Sequence, residues 1–511
     1  MKLATAFGIL LLFVRPAVAA TIAVPAGADL QAALTNAQPG DTISLTPGAT
    51  YTGNFTLPKK GGSSFITLET KGDRLPGEGA RISPAQSSGL AKLRSPNNLP
   101  ALQTAEGAHH WRIVLVEFLG NAGGAGDIIT LGDASGLQTT LAQVPHDLVV
   151  DRCYIHGDPS AGQKRGIALN SASTTVTGSY ISDIKSIAQD SQAIAGWNGP
   201  GPYTITNNYL EAAGENVLFG GTDPAIVNLV PSDITIANNV VAKPLAWRSQ
   251  NWQVKNLLEL KNARRVTIRS NTFEYNWLAA QVGFAILFTV RNQDGRCPWC
   301  QVEEVTFEGN VLGHSAAGIS ILGYDDQHPS QQTRAITIRN NLFYDIDGQN
   351  WGGNGYFMRL GGGPRDIVVD HNTVIQDHAY GILQVDGAPI VGFTFTNNLT
   401  RHSSYGIIGT DHAPGNDTIR AYLPASQIRS NAIADGDPSR YPAGNAFPTW
   451  AQLQAQFVSY GGGDYRLLAN SPWQNAGTDG APLGATVVVA PPQSTPRPDP
   501  PDAPCLRCTD R

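Results

Sequence analysis

Charge is scarce in this chain of 511 residues: Asp, Glu, Lys and Arg together make up 15%, and the net charge is -6. Nothing in that balance points to nucleic acid or an anionic membrane as a partner. Methionine occurs twice and cysteine five times, too few thiols for a disulfide scaffold. Four of the cysteines form two CxxC pairs, Cys297/Cys300 and Cys505/Cys508. No βαβ pattern surrounds either pair, so local disulfides or inert thiols are expected rather than a thioredoxin-like site. A zinc site would have to join a loop to a distant Pro-rich tail. Long apolar runs are missing too. The one at 6–14 is too short to span a bilayer; with Lys2 before it and Ala17-Val18-Ala19 after it, residues 1–20 read as an export signal. An extracellular or periplasmic protein without a membrane span is expected. Neither a leucine signature nor a sustained 3.6-residue pattern occurs, which argues against leucine-rich and helical solenoids.

What the sequence has instead is one short line written ten times. Residues 205–210 (ITNNYL) lead from a β-branched residue into an Asn-rich corner and an apolar pair. The line returns at 236–241, 268–273, 307–312, 338–343, 369–374, 395–400 and 428–433, and in degenerate form at 150–155 and 176–181. Its corner falls at Cys153, Ser179, Asn208, Asn239, Asn271, Asn310, Asn341, Asn372, Asn398 and Asn431, in steps of 26, 29, 31, 32, 39, 31, 31, 26 and 33 residues. A fixed line on a loose period means a solenoid with insertions in its loops, and about 25 to 33 residues at roughly 3.3 Å each make one turn of three short strands. Asparagine tolerates the left-handed backbone of a sharp corner, and its side chain can bond to the Asn of the next coil. The pattern resembles the pectin-lyase-like superfamily, which implies an all-β, right-handed parallel β-helix of roughly ten or more coils.

Residues 29–35 (DLQAALT) read as a short amphipathic helix, Leu30, Ala33 and Leu34 on one face, capping the first coil. The β-helix is expected over 21–488, with 450–457 and 471–485 closing its far end. Residues 489–511, rich in proline, read as a disordered tail. A monomer is expected.

Chemistry on such a cylinder belongs to the outward residues of the strands preceding the corner. Alternation assigns Trp197, Asn216, Glu259, Lys261, Thr289, Arg291, Arg359, Gln384, Asp386 and Asp411 outward, with Leu258, Leu260, Phe288, Val290, Met358, Leu360, Leu383 and Val385 as their inward neighbours. Trp247, Trp252, Trp277 and Trp299 arise from longer insertions on the same coils. Aromatic walls beside a stripe of mixed charge suit an acidic polysaccharide, whose rings offer apolar faces and whose carboxylates need cations.

The run Glu259-Leu260-Lys261-Asn262, then residues 269–273 (RSNTF), then Thr289-Val290-Arg291-Asn292 resembles the consecutive coils of the chondroitinase B and alginate lyase family. The resemblance implies a polysaccharide lyase in which Lys261 is the general base and Arg291 holds or neutralises a uronate carboxylate. Glu259 is a further candidate, and Arg359, Trp197, Asn216, Asn292, Gln384 and Asp386 are candidate substrate contacts. The sequence departs from the family at Asn292, where the family has His, and at Val254 and Asn256, where it has calcium-binding carboxylates. Calcium therefore lacks matching ligands, Glu259 being the one substitute within reach.

Other readings stay open. Lys261 and Glu259 also fit an ionic pair on the sheet, and Glu215, Asn216 and Asp223 fit an irregular turn. His371 fits a corner cap, while His314, His402 and His412 lack metal-ligand spacing. A glycoside hydrolase would use outward carboxylates such as Asp325, Asp326, Asp386 or Asp411, and a β-helix that only binds polysaccharide needs no chemistry at all.

Overall fold

The computed structural model describes residues 19–72 and 75–489. The export signal expected at 1–20, but for its last two residues, lies outside the described residues, as do Cys505, Cys508 and the tail from residue 490. Three parallel sheets of 14, 12 and 13 strands run along the chain, neighbours in each sheet coming from successive coils. One coil takes one strand from each: Asn256–Leu260 in the 12-stranded sheet, Ala263–Arg269 in the 14-stranded one and Thr272–Asn276 in the 13-stranded one. The fold is a right-handed parallel β-helix.

Period-two patterning builds it. In Ala263–Arg269 the burial alternates around Val266 and Ile268, which sit in register with Val305 and Phe307 of the next coil and Ile234 and Ile236 of the previous one. Stacked this way, like residues meet like residues along the axis and one apolar core runs from Val24 to Tyr441. Every residue expected to point inward is 2% exposed or less.

The asparagine ladder stands at the corner between the 14- and 13-stranded sheets. Each rung from Asn208 to Asn398 donates its side-chain N–H to the Oδ1 of the next rung at 3.0 to 3.1 Å. The same Oδ1 accepts the rung's backbone N–H, and the rung's amide also donates to a carbonyl on the coil before. Asn445 extends the ladder beyond Asn431, a rung absent from the repeated line. One detail differs from expectation: the left-handed residue is not the rung but the one before it, Asn207, Asn238, Ser270, Asn340, His371, Asn397 and Ser430 having φ of 52° to 61°. The rung itself turns inward to bond, and its predecessor makes the bend.

At the N-terminal side, the helix Leu30–Asn36 is capped by Asp29, whose side chain accepts from Ala32 N, and buries Leu30 and Leu34. At the other end the expectation needs correction. The helix Asn416–Tyr422, which the repeated line does not announce, puts Ile419, followed by Leu423, into the main core. Residues 450–485 instead lie against the outside of the 13-stranded sheet, Leu453, Phe457, Leu467 and Leu483 packing on Val311, Leu342 and Leu399. The chain then runs back over earlier coils, Ala485 N donating to Thr373 Oγ1 and Thr486 N to Asn340 Oδ1. Among the described residues no helix is long and apolar enough to cross a membrane.

Candidate functional site

The outer face of the 12-stranded sheet carries three rows of side chains. Register places Leu218, Glu259, Leu287, Ser320, Arg359 and Gln384 in one row. One pair further along each strand, Lys261 and Thr289 follow the inward Leu260 and Phe288 outward. The third row stands at the strand starts, where the chain leaves a corner: Asp127, Arg165, Gln192, Glu215 and Asn256 are stacked on five successive coils. Alternation alone misses this row, because the residue after each start turns inward and shifts the phase by one.

The third row is a hydrogen-bonded chain. Arg165 Nη1 donates to Asp127 Oδ1 at 2.7 Å and its Nε to Gln192 Oε1 at 3.0 Å; Gln192 Nε2 donates to Glu215 Oε2 at 2.8 Å. Lys255 Nζ lies 3.4 Å from Glu215 Oε1 and also bonds Asp190. Asn256 Nδ2 donates to Glu259 Oε2 at 3.1 Å, and Thr289 Oγ1 to Glu259 Oε1 at 3.1 Å. Burial and the nearby Glu259 carboxylate push the Glu215 carboxyl up, against the pull of Lys255. Burial pulls the Lys255 ammonium down, but Glu215 and Asp190 outweigh it and hold it above its ordinary value.

Between these rows lies a cleft of about 330 Å³, lined among others by Lys164, Arg165, Asp190, Trp197, Glu215 and Lys261. The Arg165 guanidinium sits 5.0 Å from the centre of the Trp197 ring, and the buried Trp197 Nε1 makes no hydrogen bond. Lys261 is mostly buried, and its Nζ is 3.5 Å from Glu259 Oε1, a carboxylate 2% exposed. Gly220, at φ 94°, lies beside Lys261 on the preceding coil; a Cβ there would fall 2.9 Å from Lys261 Cβ and 2.6 Å from Asn262 N. Only glycine lets the two coils approach this closely with that backbone.

Beneath Glu215 lies a buried cation that the sequence did not single out. Lys243 is inaccessible to solvent and donates to five oxygens at 2.8 to 3.0 Å: the carbonyls of Ala212, Ala213, Gly214 and Asn256, and Asn216 Oδ1. Burial pushes its ammonium down to about 7, opposed by Glu215, while five acceptors favour keeping the charged form.

The expected site residues divide. Lys261 and Trp197 line the cleft, with Glu259 buried behind Lys261, and Arg359, Gln384 and Asp386 do face outward further along the same sheet, Arg359 Nη2 bonding Asp386 Oδ2 at 2.9 Å. Asn216 faces inward, held by Lys243 and donating to the carbonyls of Leu210 and Ala242. Asn292 is fully buried, accepting Cys297 N and donating to Pro329 O. Arg291 is turned away from Lys261 toward a loop, bonding Asp325 and Asp326 at 2.6 and 2.7 Å. Asp223 accepts the backbone N–H groups of Asp294 and Arg296, which fits its reading as a fixer of irregular chain. That loop also holds the disulfide Cys297–Cys300, and Cys153 is buried.

The tryptophan walls are corrected as well. Trp247 and Trp277 pack with Trp351 in a buried cluster, Trp252 against it, and Lys185 Nζ lies 5.0 Å from the rings of both Trp247 and Trp252. Trp299 packs on the core and donates to Leu229 O. Large rings bury here because the loops that carry them need cores of their own.

Calcium, which the lyase resemblance implies, does not fit these residues. Val254 is apolar and 1% exposed within the tryptophan cluster. Both Glu259 oxygens already accept from Asn256 and Thr289, and the ammonium of Lys255 stands against Glu215 and Asp190, where a divalent ion would need those charges.

No family model matches the chain, and no curated protein matches it. Among solved structures it is similar to the family 6 alginate lyase AlyGC, at 15% identity and a TM-score of 0.52, over 91% of this chain and 57% of that one. It is also similar to a mannuronic acid specific family 6 lyase from the human gut microbiota, at 14% identity and a TM-score of 0.45, over 82% and 87% of the two chains. A third is a hyperthermoactive exopolygalacturonase from Thermotoga maritima, at 14% identity and a TM-score of 0.38, over 68% and 81%. The chain spans little more than half the length of AlyGC. At such identities the shared property is the fold.

Proposed function

We propose that this chain is a carbohydrate-active protein that binds an acidic polysaccharide in the cleft and cleaves it by β-elimination, with Lys261 as the base. The observation that carries the reading is the placement of Lys261. It projects from the outer face into a cleft that also holds an aromatic ring, Trp197, and the cationic side chains of Lys164 and Arg165. Elimination needs a base at the proton α to the uronate carboxyl and cations for the charge that develops on that carboxyl. Lys261 in its amine form takes the proton; Lys164 replaces Arg291 as the cation facing the carboxylate, since Arg291 already serves two aspartates and Arg165 is held by Asp127 and Gln192. The electron pair of the broken C–H bond forms the new double bond as the glycosidic oxygen departs. The structural similarity to lyases agrees with this reading, and a polymeric substrate outside the cell agrees with the export signal expected at 1–20.

A second reading, hydrolysis, is favoured by one observation: burial and the neighbouring Glu259 carboxylate raise the Glu215 carboxyl at the wall of the cleft, which is what a general acid needs. A panel of polyuronates and glycosaminoglycans separates the two. Elimination yields the ultraviolet absorbance of a new carbon–carbon double bond, lost by about 10² to 10⁴ in Lys261→Ala. Reducing ends without that absorbance, abolished in Glu215→Gln, would replace elimination by hydrolysis, and binding with neither product would leave a polysaccharide-binding protein.

A further inference from the structure

Two neighbouring coils gather histidines away from the cleft. The strands His109–Val114 and His146–Asp151 are adjacent in the 14-stranded sheet, with His109 in register with His146. The next residues, His110 and Asp147, both have left-handed backbones, φ 57° and 51°. This bend recurs at Asp233, Arg265, Glu304 and Asp366 near the starts of later strands of the same sheet. Later coils use it for ion pairs, Arg265 bonding Asp233 through two nitrogens at 2.7 and 2.8 Å. On the two early coils it collects three imidazoles and a carboxylate instead.

We propose that His110, His146 and Asp147 form a binding site for a first-row transition-metal ion of the zinc class, with His109 positioning His110. One donor atom from each of the three lies within 4.8 Å of the others. His110 Nε2 is 3.9 Å from Asp147 Oδ2 and His146 Nδ1 is 2.6 Å from it, against roughly 3.4 Å between ligands of a tetrahedral ion with bonds near 2.1 Å. Bringing His110 Nε2 closer by about 0.5 Å and letting the His146–Asp147 pair open by about 0.8 Å gives both histidines that spacing to Asp147. His109 Nδ1 lies 2.8 Å from His110 Nδ1. With His110 Nδ1–H donating to it, the lone pair of His110 is on Nε2, the atom facing Asp147. The His109 and His146 rings stack at 4.9 Å, and Phe65 lies 5.2 Å from His110, which limits their wandering. Two nitrogens and one oxygen are the donor set of zinc, nickel or copper rather than calcium or magnesium. Three protein ligands leave a position for water or for a donor from another molecule.

The test uses the chain without a polyhistidine tag, stripped with chelator and titrated calorimetrically with zinc chloride, then with cobalt chloride. One ion per chain binds, cobalt giving the intense visible bands of a low-coordinate site, and zinc raises the thermal midpoint until chelator is added. In His146→Gln/Asp147→Asn, in which both replacements keep polar side chains and Asn tolerates the left-handed backbone, affinity falls by at least about tenfold and the zinc-dependent midpoint shift disappears. The metal-free midpoint of the variant reports whether its fold is intact; if it falls, His110→Gln replaces it. Zinc binding equally tight in native chain and folded variant, or none in the native chain, overturns the proposal.

Discussion

Asn341→Ala removes the middle of the ladder, and its cost can be worked from the bonds lost. Asn341 Oδ1 accepts from Asn310 N at 2.9 Å and from Asn310 Nδ2 at 3.1 Å, and Asn341 Nδ2 donates to Phe307 O and Asn372 Oδ1 at 2.9 and 3.0 Å. Three partner groups retain some compensation: Asn310 Nδ2 still donates to Ile268 O, Asn372 Oδ1 still accepts Asn341 N, and Phe307 O has a second lone pair. The buried N–H of Asn310 has none. An orphaned buried donor costs about 1 to 3 kcal/mol and each of the three compensated bonds about 0.5 to 1 kcal/mol, so the variant should lose about 2.5 to 6 kcal/mol. Because a solenoid can unfold in sections, the loss is best read locally: hydrogen exchange should accelerate in residues 305–312 and 336–343, with urea denaturation giving the global change. Asn445→Ala, at a half-exposed rung where water can substitute, should cost less than half as much. Native exchange rates around Asn310 in Asn341→Ala would refute the idea that the ladder supports the corner.

Lys243→Met removes a donor shared by five core oxygens, of which Ala213 O and Gly214 O keep the backbone N–H groups of Lys255 and Asn256, and should cost more than about 3 kcal/mol, checked by urea denaturation. Arg291→Ala strips Asp325, whose side chain is inaccessible, of its guanidinium and should lower the melting temperature by more than Lys261→Ala does, because the buried Glu259 carboxylate left behind by the latter keeps its bonds from Asn256 and Thr289 and loses only a 3.5 Å contact. His371 titrates above its ordinary value through its bond to Asp370, with Asp479 adding to the effect. A raised histidine contributes stability that is full below the unfolded value near 6.5 and fades as pH climbs through the folded one. The melting difference between native chain and His371→Asn should therefore be larger at about pH 5.5 than at about pH 9; an equal gap at both would remove the ion pair from the account.

What was legible in the sequence is what stacking repeats. The Asn line, the inward Leu258 and Leu260, and the outward Glu259 and Lys261 recur with each coil, and a residue whose neighbours above and below are its own counterparts has its direction set by many identical contacts. Legibility failed where the chain leaves the repeat. Asn216 stands one residue after a strand start, where the phase slips, so alternation sent it outward although Lys243 needs it within. Arg291 follows a strand end, Thr289, and enters the loop carrying the disulfide; its partners Asp325 and Asp326 come from the next coil's insertion, which no spacing within one coil reveals. The Asp127-Arg165-Gln192-Glu215-Asn256 row was hidden for the opposite reason. Its members share a position but not a residue type, so nothing repeats to the eye. Nor does counting back from the corner align them, since they stand 26, 14, 16, 24 and 15 residues before Cys153, Ser179, Asn208, Asn239 and Asn271; only the register of the stacked coils does. The same alignment brings His109 over His146 and His110 over Asp147. On a β-helix, then, a site is to be sought down a column of unlike residues in register, and only the like residues can be trusted to mark where the columns run.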